Sequence, residues 1–307
     1  MKIKFSILIS TKNRFEALQI TLQKIAHLLE RDDVECIIYD DASTDNTVSF
    51  LNENYATIQL LKNKKSKGYI HNRNYLINNC KGDYAISLDD DSNFLTENCL
   101  EIIANHFTTH ENCGVIACRV FWGLEEPTSF HSNEKIEKVS GFVGCGHVWN
   151  IKAWKAIPNY PNWFIFYGEE MFASFQLLKK GLEIHYVPEI LVHHRVNVSA
   201  RKDDKDFQIR KRRSLRAGWY LYFIFYPISI IPRKMGYTIW QQIKKYTFKG
   251  DIKATIAIFQ ALGDLVLNGF KIFKTTNRLT KEEYKKFTNL PLTKIYWHPE
   301  NNENEKL

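Results

Sequence analysis

Three polar clusters in the chain each directly follow a short apolar run. Thr11-Lys12-Asn13-Arg14 follows Phe5–Ser10, Asp40-Asp41-Ala42-Ser43-Thr44-Asp45 follows Val34–Tyr39, and Asp89-Asp90-Asp91 closes Tyr84–Leu88. Carboxylates massed together repel one another and lose solvation, a cost met by a bound cation or by hydrogen-bond donors of a ligand. Oxygen ligands at this density suit Mg2+ or Mn2+. Singly, each cluster also reads as an Asx turn, a helix cap or a solvated loop; together they point to one site. No Gly-x-Gly-x-x-Gly follows the first run and no Gly-x-x-x-x-Gly-Lys-[Ser/Thr] occurs anywhere, so neither a dinucleotide fold nor a P-loop is supported.

The elements that must position these clusters follow from periodicity. Phe15, Leu18, Leu22, Ile25 and Leu29 form one helix face after the first run, and the alternation of short β-rich runs with helical spacing continues to Val115–Cys118, the signature of parallel βαβ units. In an open sheet of this kind ligands sit beyond the carboxyl ends of the strands, where all three clusters fall. Thr96 is expected to cap a helix over Leu100–Phe107. Glu169–Lys180 reads as a helix with acid in its first turn, base in its last and Gly181 as the stop. Ile184–Val187 reads as a last strand ended by Pro188.

In motifs, order and spacing, residues 3–195 resemble the family 2 glycosyltransferases of the GT-A type. The matching pieces are Ser10–Arg14, Tyr39–Asp45, Lys67-Gly68 with Asn72-Arg73-Asn74, Leu88–Asp91, Gly144-Cys145-Gly146, Gly168-Glu169-Glu170 and Val192-His193-His194-Arg195. The resemblance implies an α/β, Rossmann-like, mostly parallel sheet flanked by helices over residues 1–200, followed by a helical region over 201–307. It implies an inverting, metal-dependent transfer of sugar from a UDP-, TDP- or GDP-linked donor to a hydroxyl of a glycan or lipid-linked acceptor. Thr11, Asn13, Arg14, Asp40, Asp41, Lys67, Gly68 and Arg73 would hold the nucleotide. Asp89 and Asp91 would hold Mn2+ or Mg2+ with His193 or His194, and Asp90 would support them. Glu170, or else Glu169, would be the general base. Trp122, Trp149, Trp154, Trp163, Phe164 and Phe166 either stack on sugar rings or belong to the core. A nucleotidyltransferase and a non-catalytic glycan-binding protein remain as alternatives.

Composition divides the chain. Residues 1–200 carry 20 basic and 24 acidic side chains, and residues 201–307 carry 22 and 10, within a net charge of +8. The basic tail sets Arg210-Lys211-Arg212-Arg213 before Trp219, Tyr220, Tyr222, Phe223, Phe225 and Tyr226, cations paired with interface-loving rings, which points to an anionic membrane surface. No RNP or KH signature supports nucleic-acid binding, and self-association stays open. A long amphipathic segment follows, with Ile252, Ile256, Phe259, Leu262, Val266, Phe270 and Phe273. The first apolar run is shorter than the roughly 7–15 residues of a signal-peptide core, and Ala217–Ile231 is short of the roughly 20 needed to span a bilayer. The expected location is the cytoplasm, or peripherally on the inner face of its membrane. Six scattered cysteines without metal spacing read as reduced core residues.

Overall fold

The computed structural model describes residues 2–196 and 206–299. Alternating strands and helices open the chain: β1 (Phe5–Thr11), α1 (Phe15–Lys24), α2 (Ala26–Leu29), β2 (Val34–Asp40), α3 (Thr47–Asn54), β3 (Gln59–Lys62), α4 (Tyr69–Asn79) and β4 (Tyr84–Asp89). Then come β5 (Ser92–Phe94), α5 (Cys99–Thr109), β6 (Cys113–Trp122), β7 (Glu137–Lys138), β8 (Gly146–Asn150), α6 (Ile151–Lys155), α7 (Glu169–Lys179) and β9 (Glu183–His194). The sheet order is β3-β2-β1-β4-β8-β6-β9-β5, with β7 on β9. Strand β8 runs antiparallel between β4 and β6, whereas β1 to β4 pair in parallel and β6 pairs in parallel with β9.

Alternation along β1 sends Ile7 and Ile9 into one core, with Leu18 and Leu22 of α1 and Ile103 and Phe107 of α5. Leu8 goes to the other, with residues of α4, α6 and α7. Two local expectations change. Thr96 caps no helix: its hydroxyl donates to Glu189 O and accepts from Leu191 N, tying β9 down. Pro188 does not end β9 either. The pairing of β6 with β9 steps from Cys118–Val187 to Arg119–Leu191, so Pro188 sits in a bulge, where a missing N–H costs no ladder bond.

The tail forms α8 (Phe207–Phe225), α9 (Ile231–Lys245), α10 (Ile252–Leu267), α11 (Gly269–Thr275) and α12 (Lys281–Thr288). The boundary expected near residue 200 lies outside the described residues. The rings expected to meet a membrane pack against the protein instead: Tyr220 and Phe225 are fully buried in the core of α7, Phe225 stacks on Phe175 at 4.8 Å, Trp219 is buried against Ile258 and Ala261 of α10, and Tyr222, Phe223 and Tyr226 are half-buried. The basic run is also committed in part. Arg212 Nε donates to Asp264 Oδ2 at 2.7 Å and Lys211 Nζ to Gln242 Oε1 at 2.8 Å. All six cysteines are free.

Candidate active site

At the carboxyl ends of β1, β2 and β4 lies a cleft of about 400 Å³ lined by Thr11, Arg14, Asp41, Asp89, Asp90, Asp91 and His194, with Tyr69 and Phe166 on its wall. The turn after β4 crosses the end of the sheet, so that β5 pairs with the far end of β9 and Ser92 faces His194 in register. That crossing brings Asp91 to His194. His194 Nε2 stands 3.0 Å from Asp91 Oδ1 and 4.0 Å from Asp89 Oδ2. An Asp89 oxygen, a His194 ring nitrogen and Cys145 Sγ lie within 4.8 Å of one another. Burial disfavours the charged imidazole, but Cys145 and Asp91 overcome it and raise His194 to about 10. Burial works upward on Asp91 as well, and the hydrogen bond and charge of His194, with Arg14, hold it below the usual carboxylate range. His193, the alternative ligand, faces the other side of the strand, as adjacent strand residues must, and its Nε2 pairs with Gly123 O at 2.9 Å.

Arg14, expected at the nucleotide, lines the cleft and bridges the aspartates. Its Nε meets Asp90 Oδ1 at 2.7 Å and its Nη2 pairs with Asp91 Oδ2. Asp90 also accepts from Thr11 Oγ1 at 2.8 Å, and burial pushes its carboxyl up to about 7 against the pull of Arg14. Asp41 accepts from Ser66 Oγ, Asn63 Nδ2, Lys67 N and Gly68 N. Four donors fill the capacity of a carboxylate, so Asp41 shapes the loop that carries Lys67 and Gly68. Asp40 Oδ2 accepts from Ser43 N, while its buried Oδ1 has no partner. Asn13 Oδ1 accepts from Thr44 N at 2.7 Å, joining the first two clusters.

Arg73 is buried, and it links the two halves of the site. Its Nη2 donates to Asp89 Oδ1 at 3.1 Å and to Gly144 O, its Nη1 lies 3.9 Å from Glu170 Oε1, and its guanidinium stacks on the Tyr69 ring at 4.2 Å. Tyr69 donates to Asp89 Oδ1 at 2.5 Å. Tyr69 had no expected role at the site, and Cys145 only as the middle of the Gly144-Cys145-Gly146 motif; the (i, i+4) spacing of Tyr69 and Arg73 on α4 is the signal that would have found the tyrosine. Glu169 and Glu170 open α7. Glu169 is buried with Oε2 unpartnered, whereas Glu170 keeps part of its carboxyl exposed. Burial pushes both carboxyls up; the neighbouring charge of Glu170 adds to this for Glu169, and Arg73 opposes it for both. Gly144 makes room here: a Cβ on it would meet Glu170 Oε1 at 2.6 Å. Before α7, Ile165, Tyr167 and Gly168 all have positive φ, an unusual backbone for the first two. It sets Phe166 against Tyr69 at 5.4 Å, and Arg216 of α8 holds its base by donating to Phe164 O at 2.8 Å. Trp149, Trp154 and Phe164 are core residues.

The model for glycosyl transferase family 2 matches residues 6–175, more than half of the chain and all three polar clusters. The chain belongs to this family. A curated relative, the uncharacterized glycosyltransferase YfnE of Bacillus subtilis (strain 168), is 29% identical over 123 residues, 39% of this chain and 30% of that protein, so the chain spans under a third of the relative's length. Among solved structures, GalNAc-T7 with UDP, GalNAc and Mn2+ superposes with a TM-score of 0.58 at 13% identity, covering 74% of this chain and 48% of that one. The mannosyltransferase PcManGT of Pyrobaculum calidifontis, with GDP-Man and Mn2+, gives 0.54 at 13% identity over 94% and 79%. S. aureus TarS gives 0.52 at 16% over 68% and 38%. The fold of this family 2 glycosyltransferase is thus GT-A-like, and its helical tail follows the catalytic sheet.

Proposed function

We propose that this glycosyltransferase moves a sugar from a nucleotide diphosphate sugar to a hydroxyl of a glycan or lipid-linked acceptor in surface polysaccharide synthesis. The observation that carries the reading is the joint approach of Asp89, Asp91 and His194 in one cleft, with Arg73 linking Asp89 to Glu170. Two carboxylates and an imidazole fit a divalent ion, which would displace the proton that Asp91 favours on His194, and the nitrogen donor favours Mn2+ over Mg2+. Such an ion would neutralise the diphosphate leaving group. Nucleotide sugars or nucleotides with Mn2+ in GalNAc-T7 and PcManGT support this donor class.

The chain's own residues supply the rest. The nucleoside lies along Thr11, Lys12 and Asn72, beside the loop that Asp41 fixes. Glu170, the more open of the two glutamates, takes the proton of the acceptor hydroxyl, and its raised carboxyl keeps it basic enough to do so. Arg73 holds Glu170 and Asp89 on either side of one guanidinium. Phe166 excludes water above the sugar. The test is calorimetric titration of UDP and GDP with and without Mn2+. Wild type should bind one of them more tightly with Mn2+, and Asp91→Ala should lose that response; a mutant with the wild-type metal response overturns the assignment.

A further inference from the structure

Helix α10 is apolar on two opposite faces. Ala254, Ala257, Ile258 and Ala261 turn inward and are buried, packing on α8. Ile252, Ile256, Phe259, Val266 and Leu267 point outward and are exposed, the last two by 80% and 83%. At 3.6 residues per turn the outward set forms one stripe about 100° wide. The chain bends by 61° between α10 and α11, and α11 adds Phe270 and Phe273, 69% and 78% exposed. Lys253, Lys271 and Lys274 are exposed beside the stripe. The only carboxylate between residues 252 and 275, Asp264, is buried and held by Arg212 and Arg216. A contiguous apolar stripe of this kind marks an interaction surface.

We propose that the outer face of α10 and α11 seats the protein on an anionic phospholipid bilayer. The phenylalanines and aliphatic side chains enter at headgroup level while the lysines meet lipid phosphate. Among the described residues no single helix is long and apolar enough to cross a membrane. The inner face of α10 is committed to α8, so the bent pair lies on the surface. A second copy fits this face less well. A two-fold interface would set the patch against itself, lysines near lysines, with no carboxylate on the patch to pair them.

The inference goes beyond the catalytic reading and does not depend on it. Full-length protein is sedimented with vesicles of phosphatidylglycerol and phosphatidylcholine, and with phosphatidylcholine alone. Wild type should bind the mixed vesicles more strongly, and added salt should weaken binding. The triple substitution Val266→Ser, Phe270→Ser, Phe273→Ser should lower partitioning by about 10²-fold while leaving donor hydrolysis by water unchanged. Lys253→Gln, Lys271→Gln and Lys274→Gln together should remove most of the salt-sensitive part. As a gain of signal, Leu267→Trp should be quenched by brominated lipid beyond the wild-type level. Wild type that ignores both vesicles overturns the proposal, as does a triple variant that binds like wild type. So does light scattering that shows a dimer which the triple variant converts to monomer.

Discussion

At the residue scale, the two glutamates at the start of α7 differ in surroundings more than in chemistry. Glu170→Gln should leave nucleotide and metal binding near wild type and lower kcat by about 10²–10⁴-fold; a larger loss at Glu169→Gln, with little effect at Glu170, would exchange the roles. The raised carboxyls also fix a pH dependence with a definite sign. A glutamate raised above its ordinary value of 4.5 favours the folded state in its neutral form, so its stabilising contribution is full below that value and is lost as pH rises through the folded value. Transfer needs the charged base, so kcat should climb over the same window. Activity and thermal melting measured across pH should therefore slope in opposite directions, and Glu169→Gln should flatten the melting slope while leaving the rise in kcat. The carboxylate clusters were legible in the sequence because each interrupts an apolar run. Which of His193 and His194 faces the cleft was not: strand parity decides it, and parity depends on a bulge at Pro188 that no local rule announces.

At the element scale, α7 was legible at both ends, since acid, base and glycine all agree with its dipole and stop; Gly181 indeed has φ +71°. The segment after residue 250 shows the opposite case. Its apolar period was visible, but periodicity reports a stripe and not the side on which the core lies, and the small residues Ala254, Ala257 and Ala261 form the true inner face. Gly144 belongs to this scale, because it sets how closely β8's approach can pass α7. In Gly144→Ala the new Cβ would meet Glu170 Oε1 at 2.6 Å and the buried Arg73 Nη1 at 3.0 Å, so the melting temperature should fall modestly while kcat falls by more than about tenfold as Glu170 and Arg73 are displaced. Steady-state kinetics beside circular dichroism separates the two effects. Arg216 ties α8 to the backbone ahead of α7 and to Asp264. Arg216→Leu should cost about 1–3 kcal/mol in urea unfolding and raise KM, because Phe166 loses its fixed support.

At the scale of the whole molecule, the α/β class followed from the alternation of periods, while the insertion of β8 between β4 and β6 did not, because an antiparallel strand in a mixed sheet carries no mark in its own five residues. Nor did the burial of α8 against α7: a basic, aromatic helix has the same composition whether it covers a core or a membrane, and only the location of its partners distinguishes them. The path of the turn after β4 has a further effect. It fastens β5, chained directly to the three aspartates, onto the last residues of β9, so the middle of the sheet is stapled to one edge through the cleft. Opening the β9–β5 edge must then dismantle the cleft, and whatever binds there resists unfolding far from where it touches. Amide hydrogen exchange with nucleotide and Mn2+ should accordingly slow in β6 and in the lower half of β9, which line no part of the cleft, as much as in β4. Protection confined to the cleft would mean that this edge breathes independently of it.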